Sequence, residues 1–219
     1  MNYTVLSPNT CTISETAVIG DGAVIYPNNH ILGGSVIGAG AVLYPNNVVE
    51  NSRIGAFARV TASVLRNAEV GAGAQVGPYA YLRDGASAGE NCRVGDFVEI
   101  KNSRLGAGTK VSHLAYVGDA DVGENCNIGC GVVFCNYDGV NKHRTVVEND
   151  CFIGSNSNLV APVTVGEGCY VAAGTTVTEN VPRGTFVVGR QRQQENANAS
   201  KKYAYVLAKK RRDLRKEEK

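Results

Sequence analysis

The 219-residue sequence predicts an all-β protein wound as a parallel β-helix, and three observations carry that prediction. The first is a six-residue beat: an aliphatic residue, Gly, two variable residues, then a small one. It reads Ile19-Gly20-Asp21-Gly22-Ala23, Ile37-Gly38-Ala39-Gly40-Ala41, Val70-Gly71-Ala72-Gly73-Ala74, Val76-Gly77-Pro78-Tyr79-Ala80 and Val94-Gly95-Asp96-Phe97-Val98. Later copies are Leu105-Gly106-Ala107-Gly108-Thr109, Val122-Gly123-Glu124-Asn125-Cys126 and Val165-Gly166-Glu167-Gly168-Cys169. A period this short is too small for a helix pair or a propeller blade; each hexapeptide supplies one short strand and one corner. The second observation is that Ile19 to Ile37 and Val76 to Val94 each span eighteen residues, three hexapeptides per coil, which makes a triangular prism. The third is composition: 26 Gly and no Trp suit repeated tight corners.

The coils start near Ser7 and run to Val181. Aliphatic and small positions point inward and form a continuous core, while the variable residues face out. Each buried aliphatic side chain contributes about 1.5–3 kcal/mol, and stability accumulates by stacking because no coil buries its own faces. The beat slips by one at Ile54-Gly55, at Leu105-Gly106 and between Val117-Gly118 and Val122-Gly123, as mild corner variation. It breaks over Phe134-Cys135-Asn136-Tyr137-Asp138-Gly139-Val140-Asn141-Lys142-His143-Arg144, a polar stretch with turn chemistry at Asp138-Gly139. An ejected loop of about residues 135–146 on a rigid solenoid is where a binding site is expected; the competing reading is a tolerated insertion. Thr185-Phe186-Val187-Val188 reads as a last strand. From Ala197 to Lys216 good helix formers carry a sparse apolar stripe of Tyr203, Val206, Leu207 and Leu214, read as a capping α-helix. The expected division is residues 1–182 for the β-helix and 183–219 for a strand and a basic helix.

The net charge of +2 and 19% charged residues exclude a chain-wide bias toward nucleic acid or membrane. The cations that crowd residues 201–219 are the exception. No apolar run approaches the roughly 20 residues of a membrane span, and no secretory signal opens the chain. Seven cysteines, an odd count without a Cys-x-x-Cys, favour neither a disulfide framework nor a zinc ribbon. Cys92, Cys126, Cys151 and Cys169 fall at small positions of the beat and read as buried hydrophobes in a reducing cytoplasm.

Chemistry concentrates around the loop. His30 follows a corner and reads as solvent-facing, and His143 lies in the loop. His113 sits on an otherwise regular coil; a lone His there serves structure as readily as catalysis, yet its near-neutral pKa is what a general base needs. Arg83 and Lys101 differ by eighteen, one coil, so they can lie side by side about 4.8 Å apart and grip a phosphate; unrelated exposed cations are the plainer reading. Lys142 adds a third cation from the loop.

The stretch from Val76 to Val181 resembles the acetyltransferase domain of the bacterial N-acetylglucosamine-1-phosphate uridyltransferase / glucosamine-1-phosphate acetyltransferase family, within the hexapeptide-repeat acyltransferases. The segments that carry the resemblance are Val76-Gly77-Pro78-Tyr79-Ala80-Tyr81-Leu82-Arg83, Val94-Gly95-Asp96-Phe97-Val98-Glu99-Ile100-Lys101, His113-Leu114-Ala115-Tyr116-Val117-Gly118-Asp119-Ala120, Cys135 to Lys142, and Leu159 to Gly166. The combination of His-Leu-x-Tyr-x-Gly-Asp with Asn-Tyr-Asp-Gly-x-Asn-Lys is specific, whereas the beat alone names only a superfamily. The resemblance implies a left-handed coil, although parallel crossovers are right-handed almost everywhere and periodicity is silent on the hand.

By resemblance, His113 is the general base that deprotonates the 2-amino group of glucosamine 1-phosphate as it attacks acetyl-CoA. Glu99 is expected to orient the imidazole. Arg83 and Lys101 match positions that hold sugar and phosphate; Tyr116, Asn127 and Lys142 match the rest of the acceptor site. Asn136 and Tyr137 match the thioester end of acetyl-CoA, and Cys130 stands where a backbone N–H faces the oxyanion. Ser155, Ala173 and Arg190 match further acetyl-CoA positions. The resemblance also implies a cytoplasmic homotrimer that needs no metal for acetyl transfer. No Gly-rich nucleotide-sugar loop is present, so uridylylation is expected from a separate chain or from a part not contained in this sequence. Alternatives are another amino sugar or nucleotide sugar as acceptor, a non-catalytic trimeric paralogue, and a zinc carbonic anhydrase using three His.

Overall fold

A computed structural model describes residues 2–195 and Ala208. Among these, thirty strands of two to four residues form three all-parallel sheets of eleven, ten and nine strands. Apart from the strands at the two ends of each sheet, every strand pairs with its counterpart one coil earlier and one coil later, as Val42–Leu43 does with Val24–Ile25 and Arg59–Val60. The three sheets are the faces of a prism: face one includes Gln75–Val76, Arg93–Asp96 and Lys110–His113. Face two includes Tyr81–Arg83, Glu99–Lys101 and Tyr116–Gly118, and face three Ser87–Ala88, Arg104–Leu105 and Ala120–Val122. This is the all-β parallel β-helix the beat predicts, and it is consistent with left-handed winding.

Period-two alternation puts the aliphatic residues of the beat inside. Ile25, Leu43, Val60, Val76, Val94, Val111 and Ile128 form one buried column down face one. The small position is also buried, and Cys92, Cys126, Cys151 and Cys169 occupy it as free thiols. Larger polar residues also fit there when bonded to the next coil. The buried Asn47 amide donates to Asn29 Oδ1 at 2.8 Å and accepts from Ser63 N at 2.9 Å. The Gly after each aliphatic residue answers to close stacking: a Cβ on Gly38 would stand 2.5 Å from the Ala56 amide nitrogen of the next coil.

Two boundaries differ from expectation. The compact solenoid unit runs to Gly189, beyond residue 182, because Phe186–Val187 adds one more strand beside Tyr170–Val171. The ejected loop closes at Arg144, since Thr145–Val147 rejoins face three beside Ala120–Val122. Residues 190–219 form a second unit. The expected capping helix lies outside the described residues except at Ala208, which is helical.

Candidate active site

The register of the coils assembles two adjoining groups of side chains. On face two, Arg83 and Lys101 are direct partners in neighbouring strands, and Gly118 follows Lys101 in the same column. Arg83 donates to Glu99 Oε1 from Nε at 2.8 Å and to Asp84 Oδ2 from Nη1 at 2.5 Å. Lys101 Nζ sits 3.1 Å from both carboxylate oxygens of Asp119 and is largely shielded from solvent. Asp119 is a hub: it also accepts from Asn102 Nδ2 at 2.6 Å and from Asn136 Nδ2 at the root of the loop. Burial pushes the Asp119 carboxyl up, but the bonds from Asn102, Asn136 and Lys101 outweigh it and hold it below the usual range. The Lys142 ammonium is held below its ordinary range, first by the neighbouring Lys101. Three cations are thus gathered beside three carboxylates, Asp84, Glu99 and Asp119. A bound anion would meet directed N–H donors, with little net positive field.

Tyr116 stands beside Glu99 in register, and its hydroxyl accepts from Asn136 Nδ2 at 3.4 Å. Its ring curls over Gly118, where a Cβ would lie 2.5 Å from Tyr116 Cζ. The loop folds as a small tongue. Tyr137 bridges Lys142 in antiparallel fashion, and Asp138 Oδ1 accepts from the Val140 and Asn141 amides at 2.8 and 2.6 Å. His143 Nε2 meets Asp138 Oδ2 at 2.7 Å, and Arg144 anchors the tongue to Asp121 and to the carbonyls of Asn102 and Ala120. The amides of Asn141 and Val140, together with His143, draw the Asp138 carboxyl down to about 2.

The second group runs along one corner of the prism. Leu114 N donates to Asp96 O, Gly131 N to Leu114 O, Asn156 N to Cys130 O and Gly174 N to Ser155 O, all at 2.8 Å. These bonds line up Asp96, His113, Cys130, Ser155 and Ala173 over four coil steps, about 19 Å. Residues with positive φ follow Asp96, His113 and Ser155: Phe97 at 56°, Leu114 at 39° and Asn156 at 56°. Leu114 is a costly residue there, and strain of that kind gathers at functional sites. His113 Nδ1 lies 2.7 Å from Asp96 Oδ1.

The structure therefore brings together Arg83, Lys101, Tyr116, Asn136 and Lys142, and separately His113, Cys130, Ser155 and Ala173. Asn127 lies on face one between Lys110 and Phe152, apart from the face-two cluster. Tyr137 is exposed on the tongue, its hydroxyl donating to Gly139 O at 2.6 Å. Arg190 belongs to the second unit. One expected pairing is corrected: Glu99 does not orient His113, because the Arg83 guanidinium one coil away holds it, and Asp96 takes the imidazole instead. Asp96, Asn102 and Asp119 were not among the expected site residues. Their signal is spacing: Asp96 precedes His113 by seventeen, one shortened coil, and is its register partner. His30, expected to face solvent, is exposed and bonds to Thr12 Oγ1 through Nδ1 at 3.1 Å. Among the described residues no group of three or more His, Cys, Asp or Glu is placed to hold a metal ion.

The family model for the bacterial transferase hexapeptide, a unit of six repeats, matches residues 16–51 and 144–179. The chain belongs to the hexapeptide-repeat family. It is 47% identical over 199 residues to the bifunctional protein GlmU of Shouchella clausii, covering 91% of this chain and 44% of that protein. It is 55% identical over 181 residues to GlmU of Caldicellulosiruptor saccharolyticus, covering 83% of this chain and 39% of the relative. The chain thus spans less than half the length of the curated relatives it matches. Arabidopsis UDP-N-acetylglucosamine acyltransferase shares the fold at a TM-score of 0.63 and 19% identity, covering 82% of this chain and 70% of that one.

Proposed function

We propose that this chain is an acetyl-CoA-dependent N-acetyltransferase that converts glucosamine 1-phosphate to N-acetylglucosamine 1-phosphate. The observation that carries the reading is the register pair Arg83 and Lys101, joined by Lys142 and tied through Asp119 and Asn136 to the loop, in a chain that aligns with GlmU over nine-tenths of its length. Directed donors of this kind suit a sugar phosphate. His113 serves as general base and takes a proton from the sugar amine as its nitrogen attacks the thioester carbonyl carbon. The C–S bond breaks, the acetyl group passes to nitrogen, and the thiolate leaves to become the free thiol of CoA. Backbone N–H donation at Cys130 stabilises the oxyanion that forms on the way. The corner line from Cys130 through Ser155 to Ala173 supports an extended acetyl-CoA arm, with Asn136 and Tyr137 at its thioester end. Tyr116, Asn127 and Lys142 complete the acceptor site.

The working assembly in this reading is a homotrimer, with the active sites lying between prisms. Uridylylation is left to another polypeptide or to a part beyond this sequence. The test follows free thiol release from acetyl-CoA with glucosamine 1-phosphate, glucosamine 6-phosphate and UDP-glucosamine as separate acceptors. Turnover is expected with glucosamine 1-phosphate, and His113→Ala should lower kcat by about 10²–10⁴-fold. Folded protein that releases no thiol above background with any acceptor would sink the reading. Preference for a different acceptor would keep the transfer chemistry and change the substrate.

A further inference from the structure

The His113 imidazole stands against a single carboxylate, and the coil geometry sets that contact. Asp96 and His113 end neighbouring parallel strands, Arg93–Asp96 and Lys110–His113, and are direct register partners. Each is followed by a positive-φ corner residue, and the Leu114 amide donates to the Asp96 carbonyl at 2.8 Å. Both side chains therefore leave the backbone from the same corner in successive coils, and Nδ1 comes to 2.7 Å from Asp96 Oδ1. The other carboxylates of the site are committed elsewhere: Glu99 and Asp84 to Arg83, Asp119 to Lys101.

A carboxylate only accepts, whereas a neutral imidazole carries one donor nitrogen and one acceptor nitrogen. The partner of one nitrogen decides the state of the other. Resting on the reading of His113 as the base, we propose that Asp96 is a positioning residue that holds the proton of neutral His113 on Nδ1 and so leaves the Nε2 lone pair free to take the proton of the attacking amine. The hydrogen bond with His113 holds the Asp96 carboxyl below its usual range, so it stays an acceptor around neutral pH. The loop supplies an internal contrast. His143 faces Asp138 through Nε2, which places its proton on the opposite nitrogen.

The chain has three histidines, so ¹⁵N-histidine NMR at about pH 8.5, roughly two units above the usual imidazole pKa, can resolve each once His113→Ala and His143→Ala identify their signals. The expected result is an Nδ1–H tautomer at His113 and an Nε2–H tautomer at His143. In Asp96→Asn and Asp96→Ala the His113 signals should move toward the Nε2–H pattern. With the acceptor that supports turnover, kcat should fall about 10²–10⁴-fold while KM for both substrates stays within about threefold. An Nε2–H His113 in the unaltered protein, or a kcat in both variants within threefold of the parent while His113→Ala is inactive, overturns the proposal. A parent protein without turnover sinks the acetyltransferase reading alone, since the tautomer measurement does not depend on activity.

Discussion

Gly118 shows how one missing methyl can position a neighbouring side chain. It follows Lys101 in the cation column of face two, and the Tyr116 ring occupies the space that a Cβ would take. Any side chain there expels the ring, and with it the hydroxyl that meets Asn136. Gly118→Ala is expected to raise KM for the acceptor about tenfold or more, the cost of one polar contact to a charged substrate. A KM within twofold of the parent would show that Tyr116 does not need that space. Cys130 is legible in a different sense: only its backbone donor is invoked, so its exposed thiol is free to differ.

At the scale of elements, the tongue from Asn136 to Arg144 is held by its own polar bonds, with no apolar core of its own. Asp138 is the centre, accepting from two amides and facing His143. Its carboxyl titrates at about 2 in the folded tongue, against about 3.9 in an unfolded chain. A depressed carboxyl contributes stability that is full above about pH 4 and is lost as pH falls through about 2. Amide exchange at Val140 and Asn141 should therefore be slowed at pH 5 and lose that protection toward about pH 2. In Asp138→Asn protection should be weaker and nearly flat across the same range. Equal protection in the two proteins at pH 5 would remove Asp138 from the account. The break in the beat announced this loop, and Asp138-Gly139 announced its turn. Its anchorage did not show in the sequence, because Arg144 bonds back to Asn102 and Asp121, distant in the chain and brought near only by winding.

For the whole molecule, stacking gives every coil the same environment, and the core columns run without interruption along the solenoid unit. One corner carries an exposed apolar ridge: Tyr79, Phe97 and Leu114 are each about 60% exposed, and the first two rings stack at 5.6 Å between centroids. The ridge lies against the Asp96–His113 corner, the side on which the proposed trimer would close its sites. Light scattering on the full chain is expected to give three times 23.1 kDa, and Phe97→Asp should shift the mass toward that of one chain. A monomeric parent would remove the trimer from the proposed function.

The sequence by itself determined the period, the inward columns and the one-coil partnership of Arg83 with Lys101, because a repeat of about eighteen residues converts spacing directly into register. It also marked the loop, since a polar stretch cannot continue the core. Which charge meets which was decided only in three dimensions. Coils here step by sixteen to eighteen residues along the regular stretches, so a slip of one moves a carboxylate from one neighbour to the next. The folded register sets Asp96 directly opposite His113, while Glu99 reaches Arg83 and Asp119 reaches Lys101 diagonally between neighbouring coils. Hydrogen bonds act over about 3 Å, less than one coil step, and so they depend on the folded register to a precision that spacing alone does not supply.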